Sequence, residues 1–367
     1  MSNKIDIQQV KEFVQETEFT DILQKAEPLG IIVKESGPLY LLASARQNLE
    51  NKYSELQKQT NGIILEKDTN TVVCMAQNKM TELESFSDVV CVIENHPHSI
   101  VEYTEDGTVI RMYNYKGKWH TSTARCIDAE YSYWTSDRSF ADLFWSTFDT
   151  SLLEMCDPEC TYIFILLHTE NRIVVKHTEN TLVFVSKIHN RTAIESTENP
   201  FHNVIGIRGT KIIQKMSPMD LDLLYYPVKR GILVKVPNGT TYKYDFEDYT
   251  RLAAVRGNIR DIKYRYLELL RNPKELSSLA NNYNEHFFMF AVIDHCINKT
   301  IQAIYKLYKD SHILQKVKVT EEHMYYKTLK QLHAQYKKTN KKITLDDVQA
   351  KVCSLDKSVL KRFLGWV

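Results

Sequence analysis

Cys156 and Cys160, bracketing Asp157, Pro158 and Glu159, are the one close pair among 7 cysteines. A tetrahedral zinc site needs two further ligands at comparable spacing, and no second pair stands out, so no metal is expected. An odd cysteine count without framework spacing suits reduced thiols. His120, His168 and His177 have no Cys–His or Ser–His–Asp spacing around them, which leaves hydrolysis by a triad without support. A lone strand histidine is more often structural. Nothing resembles a Walker loop or a dinucleotide fingerprint, and no cofactor is expected. The chain holds 21 Tyr and 4 Trp. Trp119, Tyr131, Tyr133, Trp134 and Trp145 follow one another closely, and Glu105 and Asp106 precede them. Aromatic faces can stack a base, a carboxylate can accept from its edge, and Lys or Arg can meet its phosphates. The plainer alternatives are that these aromatics are core, as Trp145 beside Phe144 and Phe148 suggests, and that Asp106 only shapes a turn.

Positioning such groups takes both strands and helices. Gly62–Leu65 and Thr71–Met75, around Lys67-Asp-Thr-Asn70, read as a β-hairpin. Val101–Tyr103, Thr108–Tyr113 and Lys118–Thr123 read as a meander turning at Asp106-Gly107 and Lys116-Gly117. Helical spacing covers 5–16 and 139–148, and Tyr53–Leu56 fits another helix. Strands are expected at 162–167, 173–176 and 182–188. Ser217-Pro218 is a good N-cap and first-turn pair for a helix through Leu224. Gly231–Val236 and Thr240–Tyr244 form a hairpin around Pro237-Asn-Gly239. After Arg256-Gly-Asn258 the strand signals fade and helical periodicity takes over in 259–271, 286–311, 320–338 and 355–365. The expected fold is α+β: an antiparallel-sheet domain over residues 1–258, then an all-helical C-terminal domain over 259–367.

Charge separates the same two parts. The whole chain carries +1, yet the stretch from Arg256 to Val367 holds 21 Lys and Arg against 11 Asp and Glu, and the remainder is acidic. A basic helical part on an acidic body points to phosphate or an acidic partner meeting the C-terminal region, unless its lysines only solvate helix faces. Lys337-Lys338-Thr-Asn-Lys341-Lys342 is a basic turn able to touch RNA phosphate or an acidic protein surface, or simply a solvated loop. No apolar run is long enough to cross a bilayer and the start lacks a signal stretch, so a cytoplasmic protein without a membrane partner is expected.

Three stretches resemble the phage-type RNA ligases of the covalent nucleotidyltransferase superfamily, which includes DNA ligases and mRNA capping enzymes. Val101-Glu-Tyr-Thr-Glu-Asp-Gly-Thr-Val-Ile-Arg111, with Gly117–Thr123, looks like the Lys-x-Asp-Gly segment and its hairpin. Thr169-Glu-Asn-Arg-Ile-Val-Val-Lys176 is similar to the Asn-Arg-Ile-Val element. Gly231–Val236 and Tyr242–Tyr249 look like the Glu-Gly strand and the lysine-bearing strand that close the pocket. Order and spacing agree over roughly residues 55–258. Large DNA viruses and phages commonly carry such ligases, so the resemblance implies a viral source.

What the resemblance implies is a lysine that attacks the α-phosphate of ATP or GTP. Thr104 stands in that place, two before Asp106, and a hydroxyl does not substitute for a deprotonated amine in forming a phosphoramidate. The family's Arg-Gly is Asn61-Gly62 here, its inner-strand glutamate falls on Ile165, and the glutamate of Glu-Gly becomes Arg230. Of its two late lysines one matches Lys243 and the other falls on Asp245. Ile165 and Arg230 offer no carboxylate to the divalent ion that such chemistry uses. Lys79, Lys176 and Lys235 remain able to meet phosphates, with Lys79 read as a strand-edge residue.

The sequence thus suggests a pseudoenzyme that binds an RNA 5′ end, most specifically the mRNA cap, as a subunit of a translation or mRNA-handling assembly. The binding residues expected are Thr104, Glu105, Asp106, Gly107, Trp119, Arg172, Lys176, Arg230, Lys235 and Lys243, with none catalytic. Two alternatives stand beside it. One is an active ligase or capping enzyme using a displaced lysine, Lys116, Lys176 or Lys235. The other is an interaction protein whose pocket is plugged by Ile165 and neighbouring aromatics.

Overall fold

Residues 2–45, 53–213 and 229–366 are described by a computed structural model. The helix expected from Ser217 to Leu224 lies outside the described residues. The chain divides into two units, Met1–Thr250 and Arg251–Val367, with the division inside the helix Glu247–Arg256 and before Arg256-Gly-Asn258.

Antiparallel pairing dominates the first unit. One sheet runs β2–β3–β4–β5, from Ile31–Ser36, Leu39–Ser44, Asn61–Glu66 and Val72–Cys74. Every residue of β3 is buried, as a central strand covered on both faces requires. The largest sheet is seven-stranded, in the order β1–β12–β11–β10–β8–β9 with β13 beside β11. These strands are Ser2–Lys4, Ile194–Ser196, Thr181–His189, Cys160–Leu167, Thr108–Tyr115, Lys118–Ser122 and Ile207–Gly209 respectively. The third sheet, β6–β15–β14–β7, takes Thr81–Glu82, Thr241–Asp245, Gly231–Lys235 and Ile100–Thr104.

Local turn chemistry sets the hairpins. Lys116 and Gly117, both at positive φ (52 and 80), close β8 onto β9, and Gly239 at φ 90 helps close β14 onto β15. The meander does not form as expected. β7 pairs with β14, Thr104 opposite Gly231, while β8 pairs with β9 and β10. Glu105-Asp106-Gly107 is therefore a crossing between two sheets. A Cβ on Gly107 would lie 2.5 Å from the Leu166 carbonyl oxygen, so no larger residue fits the crossing without a shift. The strand expected over 173–176 is also absent; those residues form a bend whose amides are engaged elsewhere.

Beneath one face of the large sheet lie Phe144, Phe148, Phe164, Phe184 and Phe201, all buried in edge-to-face or stacked contacts. Trp145 packs edge-on to Phe144 and Phe148. Arg111 is buried and donates to the carbonyls of Asn61, Gly62 and Thr123, tying β4 to β8. Gly62, at φ 94, leaves room for that guanidinium, since a Cβ there would lie 2.5 Å from Arg111 Nη1.

The second unit is helical: Ile262–Leu269, Pro273–Asn282, Phe287–Tyr308, Tyr326–Thr339, Leu345–Cys353 and Lys357–Phe363 around one apolar core. Two of these were not expected. Asn272 caps the helix that opens at Pro273, and Thr344 with Asp347 forms a capping box. Both are short and polar enough to mask their apolar stripe. No helix among the described residues is long and apolar enough to cross a membrane.

Candidate functional site

Where β7 ends and crosses toward β8, a cleft of about 390 Å³ opens in the first unit. Tyr103, Thr104, Glu105 and Asp106 supply one wall, the bend around Lys176 and His177 another, and Arg208, Lys211, Lys229 and Arg230 the rest.

Asp106 organises the wall. It is 3% exposed. The amides of Val174 and Val175 donate to its Oδ2 at 2.9 and 2.7 Å, and the Tyr249 hydroxyl donates to Oδ1 at 2.6 Å. His177 Nε2 donates to the Asp106 carbonyl at 2.8 Å, which places its proton on Nε2. The bend over 171–180 thus hangs on one carboxylate, and this explains why the Ile-Val-Val run is not a strand: its donors are spent on Asp106. Burial first, then the charge and hydrogen bond of Asp106, push the Tyr249 hydroxyl far above the ordinary tyrosine range.

Glu105 is answered by Arg208, 2.6 Å from its Oε1. Arg230 Nε lies 3.3 Å from Asp245 Oδ1, and Lys243 Nζ lies 2.9 Å from Oδ2 of the same carboxylate. Burial opposes the Arg230 charge, but Tyr249, Asp245 and Asp106 outweigh it and raise its pKa. Lys229 Nζ sits 4.3 Å over the Tyr103 ring. The lining holds Lys176, Arg208, Lys211, Lys229 and Arg230 against Glu105, Asp106 and Glu179. With Asp106 saturated by donors and Glu105 bound to Arg208, the cleft presents positive charge. Thr104 turns a buried Oγ1 that has no hydrogen-bond partner among the described residues.

Of the residues expected at a site, the structure brings together Thr104, Glu105, Asp106, Lys176 and Arg230 around the cleft. Gly107 serves the crossing. Arg172 donates from Nε to the Val174 carbonyl within the bend and is outside the lining. Lys243 is held by Asp245. Lys235 is not at the cleft; it pairs with buried Glu102 at 2.8 Å and lines a separate hollow with Lys79. Trp119 is not there either. It packs edge-on to Tyr162 against the phenylalanine cluster, because residues of β9 alternate and its indole takes the core face. Ile165 is not among the lining residues and packs against the core on the other side. Arg208, Lys211, Lys229 and Tyr249 were not singled out. The basic run Arg208-Gly-Thr-Lys211 and the Lys229-Arg230 pair were the available signals. No group of His, Cys, Asp and Glu among the described residues could hold a metal ion.

No protein-family model matches the chain. It is 25% identical over 226 residues to the immediate-early protein ICP-46 homolog of invertebrate iridescent virus 3, covering 57% of this chain and 48% of that protein. The homolog of the same name from invertebrate iridescent virus 6 is 23% identical over 293 residues, covering 72% of this chain and 64% of that protein. The chain therefore spans only about half to two thirds of the length of these relatives. Among solved structures it overlaps a putative ATP-dependent DNA ligase from Aquifex aeolicus at a TM-score of 0.44 and 13% identity, over 87% of this chain and 80% of that one. An archaeal ATP-dependent RNA ligase overlaps at 0.44 and 13% in one form, over 77% and 74% of the two chains. Its second form overlaps at 0.45 and 12%, over 78% of each.

Proposed function

We propose that the cleft binds the phosphorylated 5′ end of RNA and forms no covalent nucleotidyl intermediate. The observation that carries this reading is the pairing of Thr104 with a cation-rich wall: the residue standing where the ligase pattern puts its lysine is a threonine with an unpartnered hydroxyl, while five cations line the same cleft. Cations in a cleft whose nucleophile position carries no lysine favour holding a phosphate chain over attacking it. The likeness to RNA ligase motifs supplies the ligand class, and a viral source belongs to the same proposal. The mRNA cap, in translation or mRNA handling, is its stricter form. A cap needs aromatic faces for the methylated base, and the aromatic side chain in the described lining is Tyr103; the phosphates are the better-supported half of that ligand.

Fluorescence anisotropy with 5′-triphosphate, capped and 5′-hydroxyl forms of one short RNA tests the reading. Tighter binding of the triphosphate form, weakened about tenfold by Lys211→Ala with Lys229→Ala, is expected. Equal affinity for all three forms overturns it. A second reading, transfer through a displaced lysine, is supported by Lys176 alone of the three expected substitutes, since it lines the cleft. Lys116 stands in the exposed β8–β9 turn and Lys235 faces Glu102. Incubation with radiolabelled ATP or GTP and a divalent ion decides: a labelled band lost in Lys176→Ala establishes the enzyme and removes the binder.

A further inference from the structure

The second unit carries a cavity of about 360 Å³ whose lining includes His312, Lys318, Tyr326, Lys330, His333 and Lys337. Tyr326, Lys330, His333 and Lys337 share one face of the helix Tyr326–Thr339 by their spacing. His312 comes from the turn Lys309–Ile313 that follows the long helix, and Lys318 from the segment after it. The two imidazoles lie 4.5 Å apart between centroids, with Tyr308 stacked on His312 at 5.1 Å and Tyr336 on His333 at 5.8 Å.

Among the described residues the lining holds three lysines and no carboxylate to balance them. Glu321 on the adjoining segment accepts from Tyr326 Oη, and Asp347 on the neighbouring helix accepts from Gln335, while Asp310 and Glu322 occupy the same segments as His312 and Lys318. Ser311 Oγ lies 2.8 Å from His312 Nδ1, which leaves Nε2 as that ring's other polar atom. His333 Nδ1 is buried and has no hydrogen-bond partner among the described residues. A buried polar atom without a partner, beside a second imidazole and three ammonium groups, is an incomplete anion site.

We infer that this cavity binds a phosphate group of an RNA strand and that His312 takes up a proton when it does. The spacing of lysines along a helix, interleaved with tyrosine, suits a phosphodiester strand with stackable bases better than a compact free anion. Burial, with His333 and Lys337 beside it, holds His312 below the ordinary imidazole range. An anion among these groups offsets that repulsion, so protonation and binding are linked and affinity rises as pH falls through the His312 titration. The inference is independent of the cleft in the first unit.

The test uses the full chain and a 5′-hydroxyl single-stranded RNA, which offers the first cleft no terminal phosphate. Lys330→Ala with Lys337→Ala should weaken this RNA about tenfold and lower the slope of log affinity against log salt by about 0.7, the value for one phosphate no longer neutralised. His312→Gln should flatten the rise in affinity as the pH is lowered. Should that variant not fold, the wild-type His312 resonance decides, moving to higher pKa when RNA is added. Unchanged affinity and salt slope in the lysine variant, an RNA-insensitive His312, or binding of polyglutamate or inorganic phosphate without binding of RNA would each overturn the inference. Failure of the triphosphate preference leaves it standing, because that readout belongs to Lys211 and Lys229.

Discussion

Replacing Asp106 separates a residue that builds the cleft from one that only turns the chain. The carboxylate accepts the Val174 and Val175 amides and the Tyr249 hydroxyl while almost fully buried. Asp106→Ala strands two amides and a hydroxyl, and hydrogen bonds to a charged acceptor contribute about 1.5–3 kcal/mol each, partly recovered by water entry. A net loss of about 4 kcal/mol in the local stability of the bend follows, within the range for breaking a buried charged network. Asp106→Asn is milder. Its amide oxygen can face the two backbone N–H groups, and its nitrogen can donate to Tyr249, whose hydroxyl reverses from donor to acceptor. Only the charge assistance is lost, about 1–2 kcal/mol. Because the two units need not unfold together, hydrogen exchange at Val174 and Val175 is the right measure. Exchange should accelerate about a thousandfold in the alanine variant and about tenfold in the asparagine variant. The asparagine variant also removes a negative charge from the wall, so affinity for a triphosphate should rise. Wild-type exchange rates in the alanine variant, or equal damage from both, would refute the account.

Other outcomes follow from single side chains. Trp119→Ala should cost about 2–4 kcal/mol in denaturant unfolding and leave RNA affinity unchanged; lost binding in a stable variant would return Trp119 to the site. Gly231→Ala puts a Cβ 2.0 Å from the Tyr244 carbonyl oxygen, and should lower stability by about 2–4 kcal/mol in the same assay, with an unaffected midpoint the contrary result. Burial pushes the Cys156 thiol up to about 11, and burial with Asp157 pushes Cys160 to about 12. Both therefore stay protonated at pH 8, and alkylation mapped by mass spectrometry should modify exposed Cys91 before either; the reverse order would contradict the packing.

The features legible in the sequence were those decided within a few residues. The Lys116-Gly117 and Pro237-Asn-Gly239 turns each join the strands that flank them, because a hairpin's register is set by its own turn. Asp106-Gly107 looks the same and is not, because β7 finds its partner in β14, far along the chain. Turn chemistry cannot report a strand that leaves for another sheet. Ile173-Val-Val175 shows the converse: β-branched residues fit any half-buried surface, and here Val174 is buried while its amide serves a carboxylate. Trp119 failed for want of a face. Its strand was readable, but which side of β9 met the core depended on β8 and β10. Within the cleft, the β7 end was readable from its own residues, whereas Arg208 and Lys211 reach it from a short basic run that nothing local ties to β7.

Two of the replaced positions acquire a common cause once their geometry is known. Arg230 and Asp245 occupy the places that the ligase likeness gives to a glutamate and a lysine, and they pair with each other at 3.3 Å. An ion pair across neighbouring strands survives when both signs are reversed together, since its attraction is unchanged. Its exterior is not. A glutamate at 230 would offer a carboxylate to a divalent ion, whereas Arg230, with Lys229 and Lys211, lines the wall with cations, the charge that the proposed phosphate ligand requires. Two of the five mismatches with the ligase pattern, Arg230 and Asp245, are then coupled as a pair, while those at Asn61, Thr104 and Ile165 are not explained by it. Double-mutant coupling measures this. Arg230→Glu and Asp245→Lys should each destabilise by about 1–3 kcal/mol, while the double variant recovers part of the loss, the remainder coming from Lys243 left without its carboxylate, and, having reversed the wall, binds triphosphate RNA more weakly. Additive losses in the double variant would mean the two residues are not a unit, and the pairing at the cleft would explain nothing about its ligand.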